Sequence, residues 1–372
     1  MKLKKLFCNA ILAFFICIPF YSCSNEENLP NDDGTKIELP EKRAYILYEG
    51  GMGQNNTGIA FYAPNKDADF IGNIYKLQNS KELGALANSM IKHNEYIYVV
   101  VSTSKYISKL NEACVEVGTY KFPEGEGDPR HITADEDFIY VSQWGGKVSK
   151  INAKTMERVA EFNGGDNLEG IAECNGKLYV SNSHKQENGN WIYNKEVFVI
   201  NPETMKLEKS IPVVSNPERI IEENNKIYIH SKGNYGNEKS TLQIIDPQNG
   251  NSVTNLNIPI NKVVEGNNDL LYIVENESGY DVNGNWEQKP NTFSTYNTKT
   301  GVKGGSFLKN APKEFETANI YLLSIDDETG EIYVGTADYT TTGTIYRFNE
   351  DGTFKEKFDA GGINPNTMIF VD

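Results

Sequence analysis

Asn216-Pro217-Glu218-Arg219-Ile220-Ile221, the turn Glu223-Asn224-Asn225, and Lys226-Ile227-Tyr228-Ile229-His230 read as two short strands joined by a tight polar turn. A longer loop leads from His230 to Leu242-Gln243-Ile244-Ile245-Asp246-Pro247, and a second tight turn at Asn249-Gly250 precedes Val253 to Ile258. The runs are short and rich in β-branched residues and Tyr, which suits a pleated, half-buried surface. Asn, Gly and Asp separate them, the residues that accept turn backbone. Four strands in meander order are expected between Asn216 and Ile258.

The centre of this unit recurs as an apolar residue, Tyr and usually a β-branched residue. It stands at Ala44-Tyr45-Ile46, Ile97-Tyr98-Val99, Ile139-Tyr140-Val141, Leu178-Tyr179-Val180, Ile227-Tyr228-Ile229, Leu271-Tyr272-Ile273 and Ile332-Tyr333-Val334. These seven copies lie 39 to 61 residues apart, and no stretch of useful length has a helical period. The body is therefore expected to be all-β. A four-stranded unit repeated at this spacing matches a propeller blade, whose sheets pack face to face around an axis. Asn364-Pro365-Asn366-Thr367-Met368-Ile369-Phe370-Val371 reads as an innermost strand with no partners after it, whereas the copy at Tyr45 has none before it. Pairing the two closes a seven-bladed β-propeller over residues 42–372 as one domain.

The N-terminus sets the compartment. Lys2, Lys4 and Lys5 precede an apolar stretch from Leu6 to about Pro19, the pattern of an export signal. Phe20-Tyr21-Ser22-Cys23 resembles a lipobox, with Phe20 in place of the usual leucine, so residues 1–22 are expected to be removed and Cys23 lipidated. Ser24-Asn25-Glu26-Glu27-Asn28 resembles the acidic tag that sends such lipoproteins to the outer face of the outer membrane, and residues 23–41 read as a flexible tether. Among 372 residues, 51 acids stand against 36 bases, and loss of the three lysines takes the net charge from -15 to -18. Such a surface repels phosphate backbones, so no nucleic-acid partner is expected. Cys114 and Cys174 remain in the body without metal-ligand or redox spacing.

Leu178-Tyr179-Val180-Ser181-Asn182, Val197-Phe198-Val199-Ile200-Asn201-Pro202-Glu203-Thr204 and Ile211-Pro212-Val213 resemble the YVTN-type repeat of YncE-like propellers. The opening Tyr48-Glu49-Gly50-Gly51-Met52-Gly53, with Asn55-Asn56 and Phe61-Tyr62, is similar to the first blade of surface lipoproteins in that group. The resemblance spans about residues 43 to 372. It implies extracellular capture of cobalamin or another corrinoid and delivery to a TonB-dependent outer-membrane transporter.

With strands lettered a to d from the axis outwards, b–c and d–a loops emerge on one face, here the first, and a–b and c–d turns on the other. The second face is bland and polar by sequence. All three Trp fall in first-face b–c loops, as Trp144, Trp191 and Trp286, and Tyr106, Tyr193, Tyr235, Tyr280 and Tyr339 are expected in equivalent loops. They predict an aromatic platform for a large, flat, partly apolar ligand; packing of long loops onto the blades would account for the same residues. The longest loops share Asn188-Gly189-Asn190-Trp191 and Asn283-Gly284-Asn285-Trp286, which suggests two similar finger hairpins or common descent of the blades. Arg130 and Arg219, in d–a segments, are expected to donate to ligand oxygens. His184 and His230 are expected near this face, with His184 a ligand contact; no metal site is expected, nor any cofactor beyond the ligand itself. No nucleophile elbow, phosphate loop or two-His pair is present. The expectation is a binding protein rather than an enzyme. A protein- or glycan-interaction propeller stands as the alternative, and a lactonase-like or lyase-like enzyme, with Glu49, Glu169 and Asn366 imitating a calcium-holding set, as the third.

Overall fold

The computed structural model describes residues 34–37, 39–64, 70–281 and 283–371. The expected signal segment, Cys23 and the first part of the tether lie outside them. The described residues form seven four-stranded antiparallel sheets arranged as a seven-bladed propeller. Blade one takes its innermost strand from the C-terminus: Pro365–Val371 pairs with Arg43–Tyr48, with Ala44 opposite Phe370 and Ile46 opposite Met368. The ring closes as the sequence predicts.

The repeated tyrosine has a physical reason. Each of the seven stands on strand b of its blade, and each enters a different hydrophobic cluster, shared with the following blade. Tyr98, for example, meets Ile132 and Ile139 of blade three, and Tyr179 meets Ile220 and Ile227 of blade five. In three of them the hydroxyl finds an acceptor on the next blade's c–d turn. Tyr45 donates to the Glu112 carbonyl at 2.8 Å, Tyr98 to that of Ala153 at 3.0 Å and Tyr179 to Asn251 Oδ1 at 2.8 Å. A ring of this size and a polar tip therefore fasten one blade to the next. Truncating such a buried aromatic costs roughly 3–5 kcal/mol.

Two local features depart from expectation. A short helix, Ile74–Asn79, lies between blades one and two. Asn73 caps it by accepting from the Lys76 N–H, and Ile74, Tyr75 and Gln78 are buried; six residues are too few to show a period in sequence. The chain is also packed before Lys42, where a free tether is expected. Lys36 N–H donates to Gln78 Oε1 at 2.9 Å, and Ile37 and Leu39 lie against the cluster between blades one and two.

Candidate functional site: an aromatic rim over a polar axis

Exposed large apolar side chains fall into a distinct pattern. Val117, Val159, Leu207, Val302 and Phe354 lie on the outer d strands, and Leu77 is on the short helix. The rest, Met52, Trp191, Ile192, Tyr235, Tyr280, Trp286 and Tyr339, lie in b–c connections on the first face. The five aromatics among them come from consecutive blades, four to seven. Trp191 is 54% exposed and Trp286 52%, although propensity favours burial of such rings.

The fingers share a tetrapeptide but not a turn. In blade four, Lys177–Glu187 and Asn190–Asn201 run on as a long hairpin closed by Asn188 and Gly189, both at positive φ (51° and 79°). That two-residue geometry favours Asn-Gly. In blade six, Gly279–Tyr280 pairs with Trp286–Glu287, and Asp281 Oδ1 accepts from the N–H groups of Asn283 and Asn285. The rings stand edge to face: His184 with Trp191 (5.1 Å), Tyr193 with Tyr235 (5.6 Å), Tyr280 with Trp286 (5.2 Å) and Tyr321 with Tyr339 (5.8 Å). Tyr235 and Tyr339 adopt left-handed backbone, φ 57° and 67°. For a bulky residue this costs about 1–3 kcal/mol, strain of the kind that gathers at functional sites.

Beneath the rim lies a ring of polar groups, part of which is expected from the d–a segments Asp128-Pro129-Arg130, Asn167-Leu168-Glu169, Asn216-Pro217-Glu218-Arg219 and Asn364-Pro365-Asn366. Every innermost strand carries a bulge at the same level, where the strand has one residue more than its partner. The residues at that level are Asn88, Arg130, Glu169, Glu218, Asn261, Tyr321 and Asn366, one per blade. In blades two to five each stands ten residues before the repeat tyrosine, so counting back from Tyr98, Tyr140, Tyr179 and Tyr228 would have found four of them.

Several expectations change at this level. Arg130 is already engaged: its Nε meets Glu169 Oε2 at 3.0 Å and its guanidinium lies 4.5 Å from the Trp144 ring. Trp144 is half-buried and donates its indole N–H to Glu169 Oε1 at 2.7 Å, so it supports the rim from below. His184 stands between Trp144 and Trp191. Tyr193 is half-buried beside the exposed Tyr235. Tyr106 opens strand c of blade two and donates to the Leu83 carbonyl instead of standing in a loop. His230 is buried within strand b of blade five, near Ser240 Oγ, and does not reach the surface. Of the calcium-like set, Glu49 and Asn366 meet. Glu49 accepts from Tyr321 OH (2.7 Å) and Asn366 Nδ2 (3.2 Å), while both oxygens of Glu169 are taken by Arg130 and Trp144.

Arg219 Nη1 donates to His131 Nδ1 at 3.3 Å, which places the imidazole proton on Nε2, 3.8 Å from Glu169 Oε2. Burial, then Arg219 and Arg130, push His131 well below its ordinary range. Burial pushes His230 down to about 3. Burial would raise the Glu218 carboxyl, but Lys232, His230 and Lys262 outweigh it and hold it low. Lys232 bonds Glu218 at 2.6 Å.

His230 carries a pH prediction. The unfolded chain protonates it near pH 6.5, whereas the folded protein resists until about 3. Its neutral form therefore stabilises fully above pH 6.5, and that contribution is lost as pH falls towards 3. In urea melts, the stability of the native protein minus that of His230→Gln is expected to shrink by up to about 1.4 kcal/mol per pH unit across this window. A constant difference would contradict the assignment.

Below Arg219 and His131 the axis opens into a cavity of about 780 Å³ walled by all seven innermost strands. Its far mouth, on the second face, carries Glu173, Glu222, Glu265, Asp327 and Glu328. A second cavity, of about 600 Å³, lies between blades five and six and is lined by Asn237, Glu238, Ser240, Asn255, Asn257 and Asn276.

No family model and no curated protein matches the chain. Solved structures do. A functionally unknown protein from Desulfotomaculum acetoxidans DSM 771 is similar at 13% identity and TM-score 0.57, over 88% of this chain and 98% of that one. Kuenenia stuttgartiensis hydrazine synthase is similar at 15% identity and TM-score 0.54, over 71% and 76%. The computationally designed Ika8 protein is similar at 9% identity and TM-score 0.50, over 75% and 88%. At these identities the likeness concerns architecture alone, and the chain is a seven-bladed β-propeller.

Proposed function

We propose that this propeller is a surface-exposed outer-membrane lipoprotein that captures a large, flat nutrient, with cobalamin or another corrinoid as the preferred ligand, and passes it to a TonB-dependent transporter. One observation carries the capture: the exposed aromatics Trp191, Tyr235, Tyr280, Trp286 and Tyr339 are gathered on b–c connections of one face. Apolar rings with polar tips, fixed against one another, offer area to a macrocycle at little entropic cost. The corrinoid and the transporter come from the resemblance to cobalamin-capturing surface lipoproteins of the BtuG kind, and the anchor from the lipobox-like Cys23. The role is one of binding, with no chemical step.

Titration of the non-lipidated mature chain with cyanocobalamin is expected to quench Trp fluorescence to saturation at micromolar ligand or below, after correction for absorbance. Quenching that follows the absorbance correction alone would remove the corrinoid from the reading. A second reading, recognition of a glycan, is favoured by the Asn- and Ser-lined cavity between blades five and six. Saturable binding of an oligosaccharide with no response to corrinoid would favour it.

A further inference from the structure

Charges at the level of the bulges do not balance. Of its three carboxylates, Glu169 is paired with Arg130 and Glu218 with Lys232, while Glu49 meets only the neutral Tyr321 and Asn366. Four cations, Arg130, Arg219, Lys232 and Lys262, thus face three carboxylates, and the two without an ion pair stand on the adjacent innermost strands Pro217–Glu223 and Ile260–Gly266. Arg219 has one side-chain partner, the neutral acceptor His131 Nδ1, whereas the other described arginines meet carboxylates or backbone carbonyls. The Lys262 ammonium lies 4.8 Å from the centre of the Tyr321 ring and makes no ion pair among the described residues. Each follows the bulge of its strand by one position.

Two half-buried cations, in a chain of net charge -15, thus have no carboxylate in contact, the partner that even partial burial of a charge ordinarily finds. Lys262 shows the cost, since burial and then Arg219 push its amine down to about 8. Glu218 and Glu49 offset part of that cost from a distance without pairing with Lys262, and one positive charge remains in excess. Arg130 and Lys232 are spent on Glu169 and Glu218, His131 and His230 are neutral, and Glu265, further down the cavity wall, feels Arg219 without forming an ion pair with it.

We propose that Arg219 and Lys262 are the seat of an oxyanion, a phosphate or carboxylate group of a ligand, held on the axis beneath the aromatic rim. Arg219 supplies a planar fork and Lys262 a point charge, a pairing suited to an oxygen-rich anion. The acidic mouth on the second face repels such a group, so it enters from the first face. The site stands apart from the identity of the ligand on the rim, because its anion is bound by charge and the rim's ligand by aromatic area.

Calorimetry and thermal melts of the mature chain with inorganic phosphate and, separately, sodium acetate test it, at constant ionic strength with chloride as reference. Saturable binding of one equivalent is expected at millimolar concentration; phosphate over acetate would identify a phosphate group, and the reverse a carboxylate. Arg219→Gln and Lys262→Met are each expected to weaken it about tenfold or more, with Arg219→Lys retaining part of it. Binding is expected to weaken above pH 8 in the native protein, as Lys262 loses its proton, and to lose that dependence in Lys262→Met. Lys262→Met breaks no ion pair among the described residues, so it is expected to keep a cooperative melt. Absence of saturable binding of both anions to the native chain overturns the proposal, as do variants that bind like the native chain. Corrinoid binding is read separately, so either idea can fail alone.

Discussion

Removal of residues 364–372 is expected to abolish the folded protein. The strand Pro365–Val371 supplies the innermost ladder of blade one, places Met368 in the cluster between blades seven and one, and places Val371 in that between one and two. Its loss strips two of seven interfaces and leaves Arg43–Tyr48 as an unpaired edge. Blades are stabilised by their neighbours, so an opened ring has two frayed ends where the closed one has none. The truncated chain should lack a cooperative melt and aggregate. Moving the same segment ahead of Lys42 through a short linker should restore both solubility and a cooperative transition, because the pairing and not the chain order matters. A truncated chain that melts within a few degrees of the native one would show that the ring does not depend on closure.

The second large effect concerns the rim. Trp191→Ala combined with Trp286→Ala is expected to weaken corrinoid binding a hundredfold or more, since exposed aromatic anchors at a binding surface commonly carry about 2 kcal/mol or more each. Both rings are about half exposed and stand on hairpin tips, so the melt should move little. Loss of binding together with loss of stability would mean that the rings hold the loops. Unchanged binding would move the ligand off this face.

Most of the fold was legible because its grammar is local. The tyrosine on strand b is both repeat marker and blade fastener, so Tyr45 through Tyr333 count the interfaces directly. Turn residues such as Asn224-Asn225 and Asn249-Gly250 stand between strands as read. The position of Trp191, Tyr235, Trp286 and Tyr339 on one face follows from strand parity alone. What could not be read were pairings. Whether Arg130 is free or tied to Glu169 depends on two blades meeting at the axis, and the sequence separation of 39 residues carries no hint of it. Of the seven bulge residues, the d–a segments mark Arg130, Glu169, Glu218 and Asn366, whereas Asn88, Asn261 and Tyr321 share the level but no chemistry that a motif could mark. The lone charges of Arg219 and Lys262 emerge only when the partners of every nearby acid have been assigned.

The central claim is that the rim binds a corrinoid, and calorimetric titration of the non-lipidated mature chain with cyanocobalamin at neutral pH tests it most directly. Saturable heat with one ligand per chain, at micromolar or tighter affinity and lost in the Trp191→Ala/Trp286→Ala variant, is the predicted result. No heat beyond dilution from a cooperatively folded native chain would contradict it.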